Sequence, residues 1–203
     1  MFEDMMTGLE ERSAFTWDSA AWIYSVIIAV VLVRYFMFVS NLLQEPKSAK
    51  LYYPYLAFML ANIIQLYTSW YLGKGTYMDI EGSPLLFASR SMSDMIMCIQ
   101  GLMIVPKDNL LDDFFDMKSW FMKIRKAHFL VWGLYALLYI MQVTLNFSSF
   151  AELTSPKEMI IGLSLLMTMM LLLFGAAFSE NDYYLSIIGT FFVVFNLIQL
   201  TTL

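Results

Sequence analysis

Residues 158–178 read EMIIGLSLLMTMMLLLFGAAF, and no charged residue follows Glu158 within this stretch. A helix needs about 20 predominantly apolar residues to cross a hydrocarbon core of about 30 Å. The stretch has that length and composition. Helices are favoured in lipid because they satisfy their own backbone polar groups. The stretch therefore predicts a membrane-spanning helix.

Five other stretches have the same character, at residues 21–43, 51–72, 84–105, 127–147 and 183–203. None alternates polar and apolar residues over about 10 positions, as the strands of a membrane barrel do. We therefore expect an all-α fold, a polytopic membrane helix bundle of about six transmembrane helices that forms a single domain over residues 1–203. Pro84 and Pro156 each follow a serine, and proline after such a residue is typical of the first position of a helix.

The composition excludes several classes of function. Of the 203 residues, 60% are hydrophobic and 14% are charged, whereas soluble domains average about 45–50% and about 25%. One histidine and one cysteine are too few for His-cluster or Cys-rich metal sites, and the net charge of -5 offers no basic surface to a nucleic acid. No nucleotide-binding or hydrolase motif occurs. We expect no enzyme activity, no metal and no cofactor.

The basic residues predict an orientation. If all six stretches span, one side of the membrane carries Lys47, Lys50, Lys107, Lys118, Lys123, Arg125 and Lys126, and the other carries Arg12, Lys74 and Lys157. The positive-inside rule then places the first group in the cytoplasm and both termini outside. The acidic N-terminal segment 1–20 lacks the composition of a cleavable signal or a presequence. The sequence leaves the organelle open.

The connection at residues 107–126 has a helical pattern of its own. Acidic residues fill its first half and basic residues its second half, an order that complements the helix dipole. We expect an amphipathic helix on the cytoplasmic interface, either as a simple connector or as a docking surface for another subunit. Its candidate contact residues are Phe114, Met117, Lys118, Trp120, Phe121, Lys123 and Arg125.

The third stretch carries the most informative side chains. On a helical wheel, one arc of roughly 140° contains five polar residues of the stretch: Ser89, Arg90, Ser93, Asp94 and Gln100. We call these five residues the polar stripe. Arg90 and Asp94 are four residues apart and should be neighbours. A charge at mid-membrane costs about 2.5–3.5 kcal/mol on insertion scales, and pairing reduces that cost. The pair can be a structural ion pair, an ion or ligand site, or a contact to a partner subunit.

Other stretches contribute polar groups that could face this stripe. Asn62 and Gln65 belong to the second stretch, and Asn196 and Gln199 to the sixth. Such groups often serve as interhelical hydrogen-bonding glue. The alternative hypothesis is that the second, third and sixth helices converge their polar faces around Arg90 and Asp94.

Two classes of function remain. In the first, the chain is a non-catalytic multi-pass subunit of a larger integral membrane assembly, with contacts to lipid and to other membrane subunits or to itself. In the second, it is a small ion or solute channel or transporter that uses the polar stripe. A receptor-like bundle is a weaker third interpretation.

Overall fold

The computed structural model describes residues 2–44, 49–78, 84–106, 115–145 and 156–201. Within these ranges the chain is all-helical apart from two short strands and brief connections. The elements are α1 (Phe2–Gln44), β1 (Ala49–Lys50), α2 (Tyr53–Met78), α3 (Pro84–Ile104), β2 (Phe115–Asp116), α4 (Met117–Leu145), α5 (Pro156–Phe178) and α6 (Asp182–Thr201).

Prolines and capping side chains mark the starts of four helices. Pro84 and Pro156 are the first residues of α3 and α5, positions at which a missing backbone N–H costs little. Asp116 caps α4, because its carboxylate accepts the backbone N–H of Lys118 at 3.0 Å. Asn181 caps α6 in the same way, accepting the N–H of Tyr183 at 2.9 Å.

All six helices have one terminus at the same end of the bundle. There β1, which follows α1, pairs in parallel with β2, which precedes α4, in the register Ala49↔Phe115 and Lys50↔Asp116. The turn 179–181 joins α5 to α6 at this end, next to the first turns of α4. We call it the strand end. Successive helices therefore run in opposite directions.

The interior is built around α2. It crosses α6 closely through small residues, since a Cβ added at Gly189 would lie 3.0 Å from the Cβ of Ala57. Ala57 and Ala61 are four residues apart and both are buried, which is the small-residue spacing that lets membrane helices approach. Beside this crossing, Phe58 lies 4.8 Å from Phe129 and 5.7 Å from Phe121, ring centre to ring centre. Aromatic rings thus join α2 to α4.

Three helical segments among the described residues are long and apolar enough to cross a membrane: Trp22–Gln44, Ile160–Phe178 and Asp182–Thr201. They correspond to the first, fifth and sixth predicted stretches, and they mark the chain as a membrane protein. Helices α2, α3 and α4 occupy the other three predicted stretches. Their composition is more polar, and spanning by these three stays a prediction.

Helix boundaries bear on two further predictions. Helix α1 begins at Phe2, so the acidic segment continues the first helix. The expected separate interfacial helix over 107–126 is not confirmed. Residues 107–114, and with them Phe114, lie outside the described residues, whereas Met117 onward forms the first turns of α4. Met117 and Phe121 are fully buried against the bundle, so their apolar face contacts protein.

Candidate functional site

The polar stripe of α3 faces the interior. Four of its members, Ser89, Arg90, Ser93 and Asp94, lie within two turns near the start of the helix, and Gln100 lies further along. All five are buried, whereas Leu85, Met92, Met95 and Ile99 on the opposite arc are at least half exposed. The asymmetry that the helical wheel predicted is therefore present.

Arg90 and Asp94 form an ion pair within this stripe. The guanidinium Nε lies 3.4 Å from the carboxylate Oδ2, and the two side chains are only 7% and 1% exposed. Helical spacing brings the two groups together on one face. Because each charge is removed from solvent, each depends on the other and on the polar groups around it.

Three neighbouring helices contribute those polar groups. Tyr24 of α1 is buried and interacts electrostatically with both Asp94 and Arg90. Tyr135 of α4 interacts with the same two residues and lies beside Ser69 of α2. Helices α1 and α4 thus flank the ion pair on α3, and α2 contacts this group through Ser69 and Tyr135.

A further contact joins the stripe to α4. The side-chain amide of Gln142 donates to the carbonyl oxygen of Ser89 at 3.0 Å and contacts the hydroxyl of Ser93 at 3.3 Å. The Ser89 carbonyl lies in the second turn of α3. This amide therefore fixes the start of α3 against the end of α4.

A second polar layer lies nearer the strand end. Tyr35 of α1 donates to Oδ1 of Asn62 at 2.7 Å, and both residues are buried. A Cβ at Gly101 would lie 3.1 Å from that same oxygen and 2.9 Å from Val31. Side chains of α1 and α2 consequently pack directly against the backbone of α3 at this level.

Gln100 and His128 face each other across α3 and α4 in this layer. Both are fully buried. The Gln100 side-chain amide has no hydrogen-bond partner among the described residues, whereas the His128 ring lies beside the backbone of Gln100. The His128 ring is edge-on to Phe129 and Trp132, at 5.3 Å and 5.9 Å between centres. Polar atoms this deep in a bundle are costly to leave unpaired.

The expected convergence of the second, third and sixth helices is wrong. Helix α6 packs along α2, where the amide of Asn196 donates to Phe192 of its own helix at 2.8 Å and reaches the Ala61 carbonyl at 3.4 Å. Gln199 is exposed, and Gln65 is half-buried. The neighbours of Arg90 and Asp94 outside α3 are Tyr24 of α1 and Tyr135 of α4.

The predicted interfacial residues form a second cluster at the strand end. Lys118 pairs with Asp182, whose other carboxylate oxygen accepts the Tyr52 hydroxyl at 2.8 Å. Arg125 is buried, donates to the Ser179 carbonyl, and lies 3.5 Å from Glu180. Trp120 donates its indole N–H to the Ile104 carbonyl at 3.1 Å, whereas Lys123 is exposed. These residues hold the turn between α5 and α6 against α4.

Sequence reasoning named Gln142 among the polar groups that could face the polar stripe, but it did not identify Tyr24 or Tyr135 as neighbours of the ion pair. Tyrosines in an apolar stretch look like membrane-interface anchors, because such anchors are common at span ends. The one available signal was the position of Tyr135, eight residues inside its predicted span. A hydroxyl at that depth needs a polar partner.

The arrangement can hold charge inside the bundle and tie four helices together. Among the described residues, no group of three or more histidine, cysteine and acidic side chains could hold a metal ion. Cys98 is a free, buried thiol. Comparison with protein-family models, with curated proteins and with solved structures finds no match.

Proposed function

We propose that the chain is a non-catalytic, multi-pass subunit of a larger integral membrane assembly, in which all six helices cross the bilayer. The observation that carries this proposal is the enclosed Arg90–Asp94 pair of α3, because its charges face side chains of α1 and α4 in the same chain. Charges used in this way stabilise one helix arrangement. They are not displayed to an external substrate.

Helix length supports six spans. At about 1.5 Å per residue, the 21 residues of α3 extend about 32 Å, close to the hydrocarbon thickness. Helices α2 and α4 are longer, with 26 and 29 residues. Their buried polar side chains, among them Asn62 of α2 and His128 of α4, face the interior, and the exposed Lys123 and Lys126 lie near the strand end of α4. The basic strand end then faces the cytoplasm by the positive-inside rule.

The apolar outward surface supports a function that depends on contacts with other membrane components. Large apolar side chains are exposed along α1, α5 and α6, including Phe36, Leu171 and Ile187. The connection between α5 and α6 is only the three residues 179–181. Such a surface can contact the helices of partner subunits and the tails of lipids.

Co-purification tests this proposal. The chain, carrying an affinity tag, is extracted in mild detergent from the membrane where it is naturally expressed and is run on a native gel. We expect a band of defined mass that contains other membrane proteins in fixed ratio. Migration of the chain alone, or only with copies of itself, would contradict the proposal.

A second candidate is a small channel or transporter, and Gln100 and His128 favour it. Together with the ion pair they continue the polar interior along α3, about 9 Å beyond Asp94 at the usual helical rise. Proton entry into dye-loaded liposomes holding the purified chain would support it, provided that Asp94→Asn abolishes entry. Asp182→Asn, which removes an acid at the bundle end, is the matched control.

A further inference from the structure

The start of α4 carries an excess of positive charge. All four lysine and arginine residues of this helix lie in its first ten residues, and the helix contains no acidic residue. Two of the four are neutralised, because Lys118 and Arg125 pair with acidic residues at the start of α6 and in the turn before it. Lys123 and Lys126 are exposed and have no ion-pair partner in the part of the chain that the structure describes. Two positive charges therefore remain uncompensated on the surface.

These two lysines lie at the head of an exposed apolar stripe on α4. Leu130, Leu134 and Leu137 follow Lys126 at helical spacings and are all exposed. From Lys126 to Leu137 the helix rises about 17 Å. One leaflet contributes about half of a hydrocarbon core of about 30 Å. The stripe therefore has the length of one leaflet, with the positive charge at its headgroup end.

Helix α5 lies beside this stripe. The Lys126 ammonium is 5.7 Å from the centre of the Phe178 ring, and the Phe178 ring is 5.0 Å from that of Phe174 one turn earlier. Both rings are exposed. The cation–π contact holds Lys126 between α4 and α5. An ammonium has three donors, so a contact with one ring leaves others for an anion.

We propose that Lys123 and Lys126 bind the phosphate of one anionic phospholipid, whose acyl chain lies along Leu130, Leu134 and Leu137. The inference rests on the proposed crossing of the bilayer by α4. Charge complementarity selects the occupant, because two uncompensated lysines favour an anionic headgroup. The leucines that follow favour a tail joined to that headgroup. An acidic peptide would contact the lysines alone, whereas a phospholipid contacts both surfaces.

Native mass spectrometry of the purified full chain tests this proposal. The probes are phosphatidylglycerol and phosphatidylcholine with identical acyl chains, mixed in equal amounts. One lysine near an anionic lipid corresponds to about a five-fold preference, so two lysines predict about a 25-fold preference for phosphatidylglycerol. Lys123→Gln and Lys126→Gln should each lower the preference about five-fold. The double variant should bring the ratio close to one.

Two controls separate a lipid site from general attraction. Lys157 is exposed at the start of α5, at the opposite end of the bundle. Lys157→Gln removes the same charge as the test variants and should leave the preference unchanged. Glycerophosphoglycerol, the headgroup of phosphatidylglycerol without its acyl chains, should not displace the lipid when added in excess, because the leucines then have nothing to hold.

Five outcomes would overturn the proposal: equal retention of the two lipids by the unaltered chain, an unchanged preference in the double variant, an equal loss of preference in Lys157→Gln, displacement of the lipid by glycerophosphoglycerol, or a co-purifying acidic polypeptide that only the double variant loses. Each of them can occur whether or not the chain is a subunit of an assembly. Side-specific cysteine labelling at positions 123 and 157 measures the crossing by α4 separately, so failure of the lipid site and failure of the span are distinguishable.

Discussion

At the scale of single residues, the central feature is the Arg90–Asp94 pair, because both charges are buried among side chains of α1, α3 and α4. Removing one member of a buried pair leaves the other charge uncompensated, which typically costs about 3–5 kcal/mol. Replacing both members with apolar residues of similar volume is often neutral or stabilising. A structural pair and a functional pair therefore give different patterns in a mutational cycle.

We expect Asp94→Asn and Arg90→Met each to lower the unfolding free energy by about 3 kcal/mol. The double variant Arg90→Met/Asp94→Leu should recover most of this loss. Unfolding in detergent, followed by circular dichroism, measures all three. If the loss of unfolding free energy in the double variant equals the sum of the losses in the single variants, the two charges do not stabilise each other.

At the scale of elements, α1, α2 and α3 pack closely where they meet at Gly101. A methyl group there would lie 2.9 Å from Cγ1 of Val31 and 3.2 Å from Cδ1 of Leu66. Gly133 of α4 provides the contrast, because an added Cβ meets nothing within 4 Å. Alanine substitutions at the two glycines therefore distinguish the effect of close helix approach from the effect of helix propensity.

Gly101→Ala should destabilise the bundle by about 1–3 kcal/mol, the usual cost of overpacking. Gly133→Ala should be neutral or stabilising by up to about 1 kcal/mol, because alanine is the better helix former. Thermal unfolding of the two variants in one detergent compares them directly. A destabilisation of similar size in both would show that helix approach at Gly101 is looser than described.

The basic start of α4 is a second element-scale feature. Arg125 is buried and donates to the Ser179 carbonyl of the α5–α6 turn, whereas Lys123 two residues earlier is exposed. Arg125→Met should cost about 1–3 kcal/mol, because that carbonyl loses its partner. Lys123→Met should cost little. Limited proteolysis at the turn 179–181 should detect faster cutting in the first variant alone.

The sequence pattern predicted where the helices lie along the chain better than which helices contact one another. Apolar length located all six helices, and the prolines at 84 and 156 located two starts. The segment around Met117 and Phe121 was harder, because an amphipathic face looks the same whether it meets lipid headgroups or other helices. Which helices meet at the ion pair is likewise not encoded in the spacing along α3, so Tyr24 and Tyr135 emerged only from the fold.

At the scale of the whole molecule, the alternating helix directions predict which surfaces share a side of the membrane. Lys123 and Asn181 both lie at the strand end, and Lys157 lies at the start of α5 at the opposite end. All three are exposed. If α4 and α5 both span, Lys123 and Lys157 must lie on opposite sides.

Cysteine labelling in intact vesicles tests this arrangement. In a Cys98→Ala background, Lys123→Cys and Asn181→Cys should react with an impermeant maleimide from one side, and Lys157→Cys from the other. The positive-inside rule identifies the first side as the cytoplasm. Labelling of positions 123 and 157 from the same side would exclude the six-span arrangement.

The size and composition of the native particle test the central claim most directly. Chains with the natural sequence and with Arg90→Met/Asp94→Leu are extracted from the native membrane and analysed by native mass spectrometry. We predict that both occur in the same particle with other membrane proteins, because the ion pair stabilises the bundle and carries no chemistry. A natural-sequence chain that occurs alone, or only with its own copies, would contradict the claim.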